Sequence, residues 1–216
     1  MPSPFDQSTY QVRLEWGVEG LDRLAPADVV VVVDVLRFSS TVADAVASGS
    51  TVSLDDARVW SRNGAAVAAR AGDAVVLVGS LRNASAVART IATLQDRNQA
   101  RTSVNVIAAG EADGAVRFAV EDHLGAGAIV AALTDLGIDH TAPDAAVAAE
   151  GFRALKRALR HMVSASGSAR ELADGVEATD RMQASGVVPT TTSSAAELDA
   201  LDVVPVLRDG VFVAFD

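Results

Sequence analysis

Cysteine is absent from the 216 residues. That removes a disulfide scaffold, a thiolate zinc site and a cysteine nucleophile at once. Lysine occurs once, at Lys156, against 17 arginines. It lies within a helical pattern, so no glycine-rich GK[ST] phosphate loop exists. Clustered basic charge is also missing: the net charge is -10. Nucleic acid and anionic membrane surfaces are therefore not expected as partners, because both need grouped Lys and Arg. Apolar runs are strand-sized or broken by Gly, Asp and Glu, well short of the ~20 residues of a spanning helix. The opening "MPSPFDQSTYQVRLEWG" has neither the basic nor the apolar region of a secretion signal, so a cytoplasmic protein is expected. The three histidines, His123, His140 and His161, show no metal-ligand spacing and no Ser–His–Asp arrangement.

What is present is a globular composition, 50% apolar and 21% charged, in which short β-branched runs alternate with alanine- and leucine-rich stretches. The pattern predicts strands over 10–14, 29–35, 51–54, 74–78, 104–108, 203–207 and 211–215. It predicts helices over 40–47, 63–71, 84–94, 121–136 and 145–163. Asn83 and Asp144 read as N-caps, and Gly72 and Gly137 as helix stops. Three of the strands are almost wholly apolar, as strands covered on both faces should be. Asp209-Gly210, between two apolar runs, signals a hairpin. Together these predict one α/β domain over 1–216, a three-layer α/β/α sandwich with a mostly parallel, mixed central sheet. Its sheet edges suggest a homodimer.

Chemistry in such a sheet gathers at the carboxyl ends of the strands. The most apolar segment, "VVVVVDVLRFSSTVADAVASG" at 29–49, delivers Asp34 to such an end. Arg37 and the hydroxyls of Ser39, Ser40 and Thr41 follow. A guanidinium and hydroxyls at a helix N-terminus suit a phosphate or sulfonate. A carboxylate beside that anion implies Mg²⁺ or attack on phosphorus. The same residues could equally be helix caps and a surface ion pair. A dehalogenase-type phosphatase needs a second Asp where Leu36 stands, so that reading fails.

A second constellation, "AAGEADGAVRFAVEDHLGAGAIVAAL", brings Glu111, Glu121 and Asp122 to a strand end and a helix start, carboxylates of the kind an oxygen-ligated Mg²⁺ uses, although acids are equally favoured at a helix's positive end for its own sake. Its "GAGAIV" does not follow a strand and reads as small residues at a helix contact. A third stretch, "LVGSLRNASAVA", repeats the strand–turn–arginine–helix pattern with Arg82. "SRNGAAVAARAG" places Asn63 and Gly64 at a turn of the same form.

In this order "VVVDVLRFSSTVADAVASGS", "VVLVGSLRNASAVA" and "VEDHLGAGAIVAAL" resemble the 2-phosphosulfolactate phosphatase family, from about Val29 to Leu207. The closing "DGVEATDRM" and "DVVPVL" are similar to it as well. The resemblance implies a three-layer fold and Mg²⁺-dependent hydrolysis of a phosphate monoester, 2-phospho-3-sulfolactate, on the route to coenzyme M. Between the second and third strands this chain is shorter than the family pattern. It lacks a glycine-rich acidic stretch, and the threonine-rich turn has become Trp60-Ser61-Arg62.

The expectation is thus a Mg²⁺-dependent phosphatase acting on a small anionic phosphate ester. Asp34, Glu121, Asp122 and Glu111 form the metal or carboxylate set, and Asp34 and Arg37 carry catalysis. Ser39, Ser40, Thr41, Arg82, Asn63 and Gly64 bind substrate. The alternative is a non-catalytic anion-binding or assembly protein descended from the same family.

Overall fold

A computed structural model of the chain describes residues 3–113, 115–175 and 177–216. Its centre is β2 (Val29–Val33), five valines with every side chain buried. β-Branched residues favour the extended chain, and alternation then sends successive valines to opposite faces. Val29, Val31 and Val33 join one hydrophobic cluster, Val30 and Val32 another. A continuous valine run is therefore what a strand packed on both faces requires.

Seven strands form the sheet in the order β1 (Val12–Trp16), β5 (Val104–Ala108), β2, β4 (Val75–Gly79), β8 (Pro205–Arg208), β9 (Val211–Ala214), β3 (Val52–Ser53). The first four are mutually parallel. Strand β8 runs antiparallel to β4, and β9 and β3 continue antiparallel. The β8–β9 turn has positive φ at both Asp209 and Gly210, the conformation a two-residue hairpin of native twist needs.

One face carries α5 (Ala84–Asn98), α6 (Val120–Asp135), α7 (Pro143–Leu155) and α8 (Leu159–Ser164). The other carries α1 (Gly17–Arg23), α2 (Phe38–Ala47), α3 (Leu54–Trp60) and α4 (Gly64–Arg70). This is the expected three-layer sandwich with a mixed sheet. The "GAGAIV" glycines are contact residues: a Cβ on Gly127 would lie 2.1 Å from the Ala148 carbonyl oxygen of α7, and one on Gly125 would meet Val35 and Val33. Gly72 and Gly137 follow helix ends with positive φ, as expected.

Other expectations are corrected. The helix predicted over 145–163 is two, separated by a 3₁₀ turn at Lys156–Ala158 that carries Leu159 and Val163 onto the core. Asp144 sits in the first turn of α7 behind N-cap Ala142. Asn83 does not cap α5 with its side chain. Its oxygen accepts from the Ser80 N–H, and its amide donates to the Val78 and Val203 carbonyls. The pattern also missed α1, α3, α9 (Gly167–Asp174), α10 (Glu177–Ala184), α11 (Thr192–Ala195) and the hairpin of β6 (Glu111–Asp113) and β7 (Ala115–Arg117). Most are short, with too few turns for an apolar period to register.

Candidate active site

The chain leaves β2 toward α2 on one face and leaves β5 toward α6 on the other. Adjacent parallel strands whose connections diverge leave a crevice at their carboxyl ends. Here the crevice is a cleft of about 480 Å³ whose lining includes Asp34, Arg37, Glu121 and Asp122. It is also lined from α9 by Ser168, Glu171 and Leu172, and from α10 by Glu177, Arg181 and Met182.

Asp34 emerges directly after β2. Its Oδ1 accepts from the Phe38 N–H at 3.2 Å and its Oδ2 from the Gly64 N–H at 3.1 Å. One carboxylate thus meets the first amides of two helices, α2 and α4, where backbone donors are free and favour negative charge. Gly64 is required sterically: a Cβ there would lie 2.4 Å from a Phe38 ring carbon and 2.9 Å from Asp34 Oδ2. Asp122 bridges the two diverging strands. Its Oδ1 accepts from Val35 N–H at 2.7 Å and its Oδ2 from Gly110 N–H at 3.0 Å. Glu121, 2% exposed, receives no hydrogen bond from any described residue.

Three acidic side chains are therefore buried together. Burial pushes the Asp34 carboxyl up to about 6, in spite of the Phe38 and Gly64 amides, with the charge of Glu121 adding to the effect and Arg37 opposing it. Asp122 is raised well above the ordinary carboxylate range, by burial first and then by Asp34 and Glu121. Arg37, half-buried at the same end, donates to Thr179 Oγ1 of α10, and desolvation lowers its pKa while Asp34 raises it.

The three hydroxyls after Arg37 do not line the cleft. Ser39 Oγ accepts from Asp34 N–H and donates to the Val32 carbonyl. Ser40 Oγ donates to the Val35 carbonyl, and Thr41 Oγ1 accepts from Thr190 N–H. All three are fully buried. Ser39 and Ser40 fasten α2 to the end of β2 and hold Asp34 where it emerges, and Thr41 ties α2 to the C-terminal segment at Thr190, instead of offering hydrogen bonds to substrate. Arg82 also turns away. It meets Asp44 at 2.8 Å, Glu197 at 3.1 Å and the Ser194 carbonyl at 2.6 Å, so its guanidinium is used up in tying the C-terminal segment to α2. Glu111 lines the cleft but is ion-paired with Arg117 of the adjacent strand. Asn63 does border it; Gly64 is not in the lining and acts behind it, its amide donating to Asp34.

Trp60, Arg62 and Arg181 also line the cleft and were not singled out from the sequence as binding residues. Arg181 lies in a stretch read only as part of the resemblance. Its place at the cleft follows from α10 folding back across α3, which no local pattern signals.

A model of the 2-phosphosulpholactate phosphatase family matches residues 51–210, and the chain belongs to that family. The match contains Gly64, Glu121 and Asp122, and begins after Asp34 and Arg37. No curated protein matches the chain. The family is one of phosphatases, and hydrolysis is the general activity it supports.

Proposed function

We propose that this protein is a phosphoric monoester hydrolase that takes a small phosphorylated acid at the Asp34 cleft, with Mg²⁺ as cofactor. The observation that carries this reading is the convergence of Asp34, Glu121 and Asp122 with Arg37 in one cleft, in a phosphatase family. The donor set is all oxygen, which suits a hard cation. No group of three His, Cys, Asp or Glu in metal-holding geometry exists among the described residues. Magnesium, however, uses one or two carboxylates and fills its shell with water and phosphate oxygens. Asp34 and Glu121 fit that demand: burial, with the charge of Glu121 adding to it, pushes the Asp34 carboxyl up to about 6, and Glu121 has no competing hydrogen bond among the described residues. Bound there, Mg²⁺ would neutralise phosphate charge and acidify a water.

The chain's own groups supply the rest. Arg37, whose other contact is Thr179, grips the phosphate oxygens through two N–H groups. The Glu121 oxygen left free of the metal takes the proton of the attacking water. Asp122 braces the amides of Val35 and Gly110 and so fixes the spacing of the β2 and β5 ends.

The test is turnover of para-nitrophenyl phosphate and a panel of phosphorylated short acids, with and without Mg²⁺, by the wild type and by Asp34→Asn. Mg²⁺-dependent hydrolysis by the wild type, abolished in a variant of unchanged circular dichroism, is the expected result. Full activity in Asp34→Asn removes the assignment. Anion-dependent thermal stabilisation without turnover of any ester would favour the non-catalytic binder.

A further inference from the structure

A second cavity, of about 430 Å³, lies beside the catalytic cleft where α1, α3 and α4 meet. Its lining includes three arginines, Arg58, Arg62 and Arg70, and no acid. The chain as a whole has 28 acidic residues against 18 basic ones, so this groove is a local reversal of the protein's charge. All three arginines are exposed and meet a ligand arriving from solvent.

Arg70 alone of the three makes a side-chain ion pair or hydrogen bond among the described residues: its Nε and one terminal nitrogen reach Asp22 at 2.8 and 3.2 Å. Arg58 and Arg62 keep their whole forks for another partner. Like charges lining one groove repel, and an oxyanion between them removes that repulsion while accepting paired N–H groups. The other side chains of the groove, Val18, Ala66 and Ala69, are small and apolar. They offer a surface to methylene groups and nothing to a second polar group.

Ser61 and Arg62 line the catalytic cleft as well as the groove, so the two cavities meet at the turn between α3 and α4. Ser61 is spent within the protein, its hydroxyl accepting from the Ala65 N–H at 3.1 Å. Arg62 is thus the cation at the junction. Resting on the phosphatase reading above, we propose that the groove is a second oxyanion subsite, taking the carboxylate of a phosphorylated acid whose two charged ends stand several methylenes apart. The ester phosphate lies at Arg37 and the carbon chain passes Arg62. Arg58, with the remaining nitrogen of Arg70, receives the acid group.

The experiment compares kcat/KM in Mg²⁺ for phosphate monoesters of straight-chain ω-hydroxy acids of increasing length, each beside the alkyl phosphate of equal length. The acid should be preferred by about tenfold or more at one of the longer lengths, the worth of a charge-assisted hydrogen bond. Arg58→Glu reverses a charge in the groove and touches nothing that lines the cleft. It should bring that ratio toward one and leave turnover of the alkyl phosphate unchanged. A ratio near one at every length, a preference greatest for the shortest acid, or a ratio unchanged in Arg58→Glu would overturn the inference. The wild-type series decides even if the variant does not fold. Inorganic phosphate supplies the same chemistry as a separate ion. If it stabilises the wild type more than Arg58→Glu while no acid is preferred, the groove binds a free anion and the substrate-borne assignment is lost. If no ester is hydrolysed, melting temperatures with the same compounds separate the two ideas. Greater stabilisation by a long acid than by its alkyl phosphate, lost in Arg58→Glu, rejects the phosphatase reading and keeps the subsite. Equal stabilisation by both rejects the subsite too.

Discussion

Two turns of this chain are written almost alike. After β2 the sequence runs Asp34-Val35-Leu36-Arg37-Phe38-Ser39, and from the last residue of β4 it runs Gly79-Ser80-Leu81-Arg82-Asn83-Ala84. Each leaves a buried parallel strand through Leu-Arg into a helix on the sheet's flank. Yet Arg37 lines the cleft beside three carboxyl groups, while Arg82 is enclosed by Asp44, Glu197 and the Ser194 carbonyl. The difference lies in what lies across from each turn. Strand β2 neighbours β5, whose connection diverges and leaves a crevice. Strand β4 neighbours β8 on its other side, and the C-terminal segment fills the space above it. An arginine at a strand end faces an open cleft only where the topology leaves one.

The sharpest way to break this comparison is to remove each arginine in turn. Arg37→Ala should lower kcat/KM for a phosphate ester about 10²- to 10³-fold, the loss typical of one charge-stabilising donor, with little change in melting temperature. Arg82→Ala should do the reverse. Losing its charge-assisted hydrogen bonds should cost stability by about 2–3 kcal/mol, read in a urea titration, with activity of the folded protein within a few-fold of normal. If the two variants behaved alike, the contrast between the turns would be empty.

Gly64→Ala tests the brace on Asp34. The new methyl would meet the Phe38 ring and the Asp34 carboxylate, so the expected cost is about 1–3 kcal/mol of overpacking, together with a loss of turnover that a simple packing defect elsewhere would not bring.

The smallest effect expected is in pH dependence. The Asp34 carboxyl titrates near 6 in the folded protein, above its ordinary value, and Asp122 is raised in the same direction. A raised folded pKa means that the native state binds the proton more tightly than the unfolded chain. The contribution of Asp34 is therefore fully present below about pH 4 and lost as pH rises through about 6. Without added Mg²⁺ the wild type should lose stability across that window relative to Asp34→Asn. Identical profiles for the two proteins would show that the cluster is not strained by its charge. Turnover that depends on ionised Asp34 should rise over the same interval.

Much of the sheet was legible because its signals are local. Every predicted strand is present, and β5 occupies its predicted residues, since valine runs and the Asp209-Gly210 turn need no distant partner to declare themselves. Asp34, Glu121 and Asp122 were legible as a carboxylate set for a related reason: each stands at a strand end or a helix start, positions that a sequence pattern marks. The hydroxyls were misread. Ser39, Ser40 and Thr41 look like phosphate donors in a linear string, but α2 turns them inward, where they bond the Val32 and Val35 carbonyls and the Thr190 amide.

What the amino-acid sequence determined by itself is the set of strands, the layer architecture and the point where a buried carboxylate must surface. Those follow from β-branched runs, apolar periodicity and turn residues acting over a few neighbours. Only the tertiary structure decided which of two similar arginines faces the cleft, that Asp122 clamps two strand ends, and that α10 brings Arg181 to the cleft that Trp60 and Asn63 also line. Such contacts join residues as far apart as Arg37 and Thr179, separated by 142 positions, and their outcome depends on which strand lies beside which, a property of the assembled sheet and of no single segment.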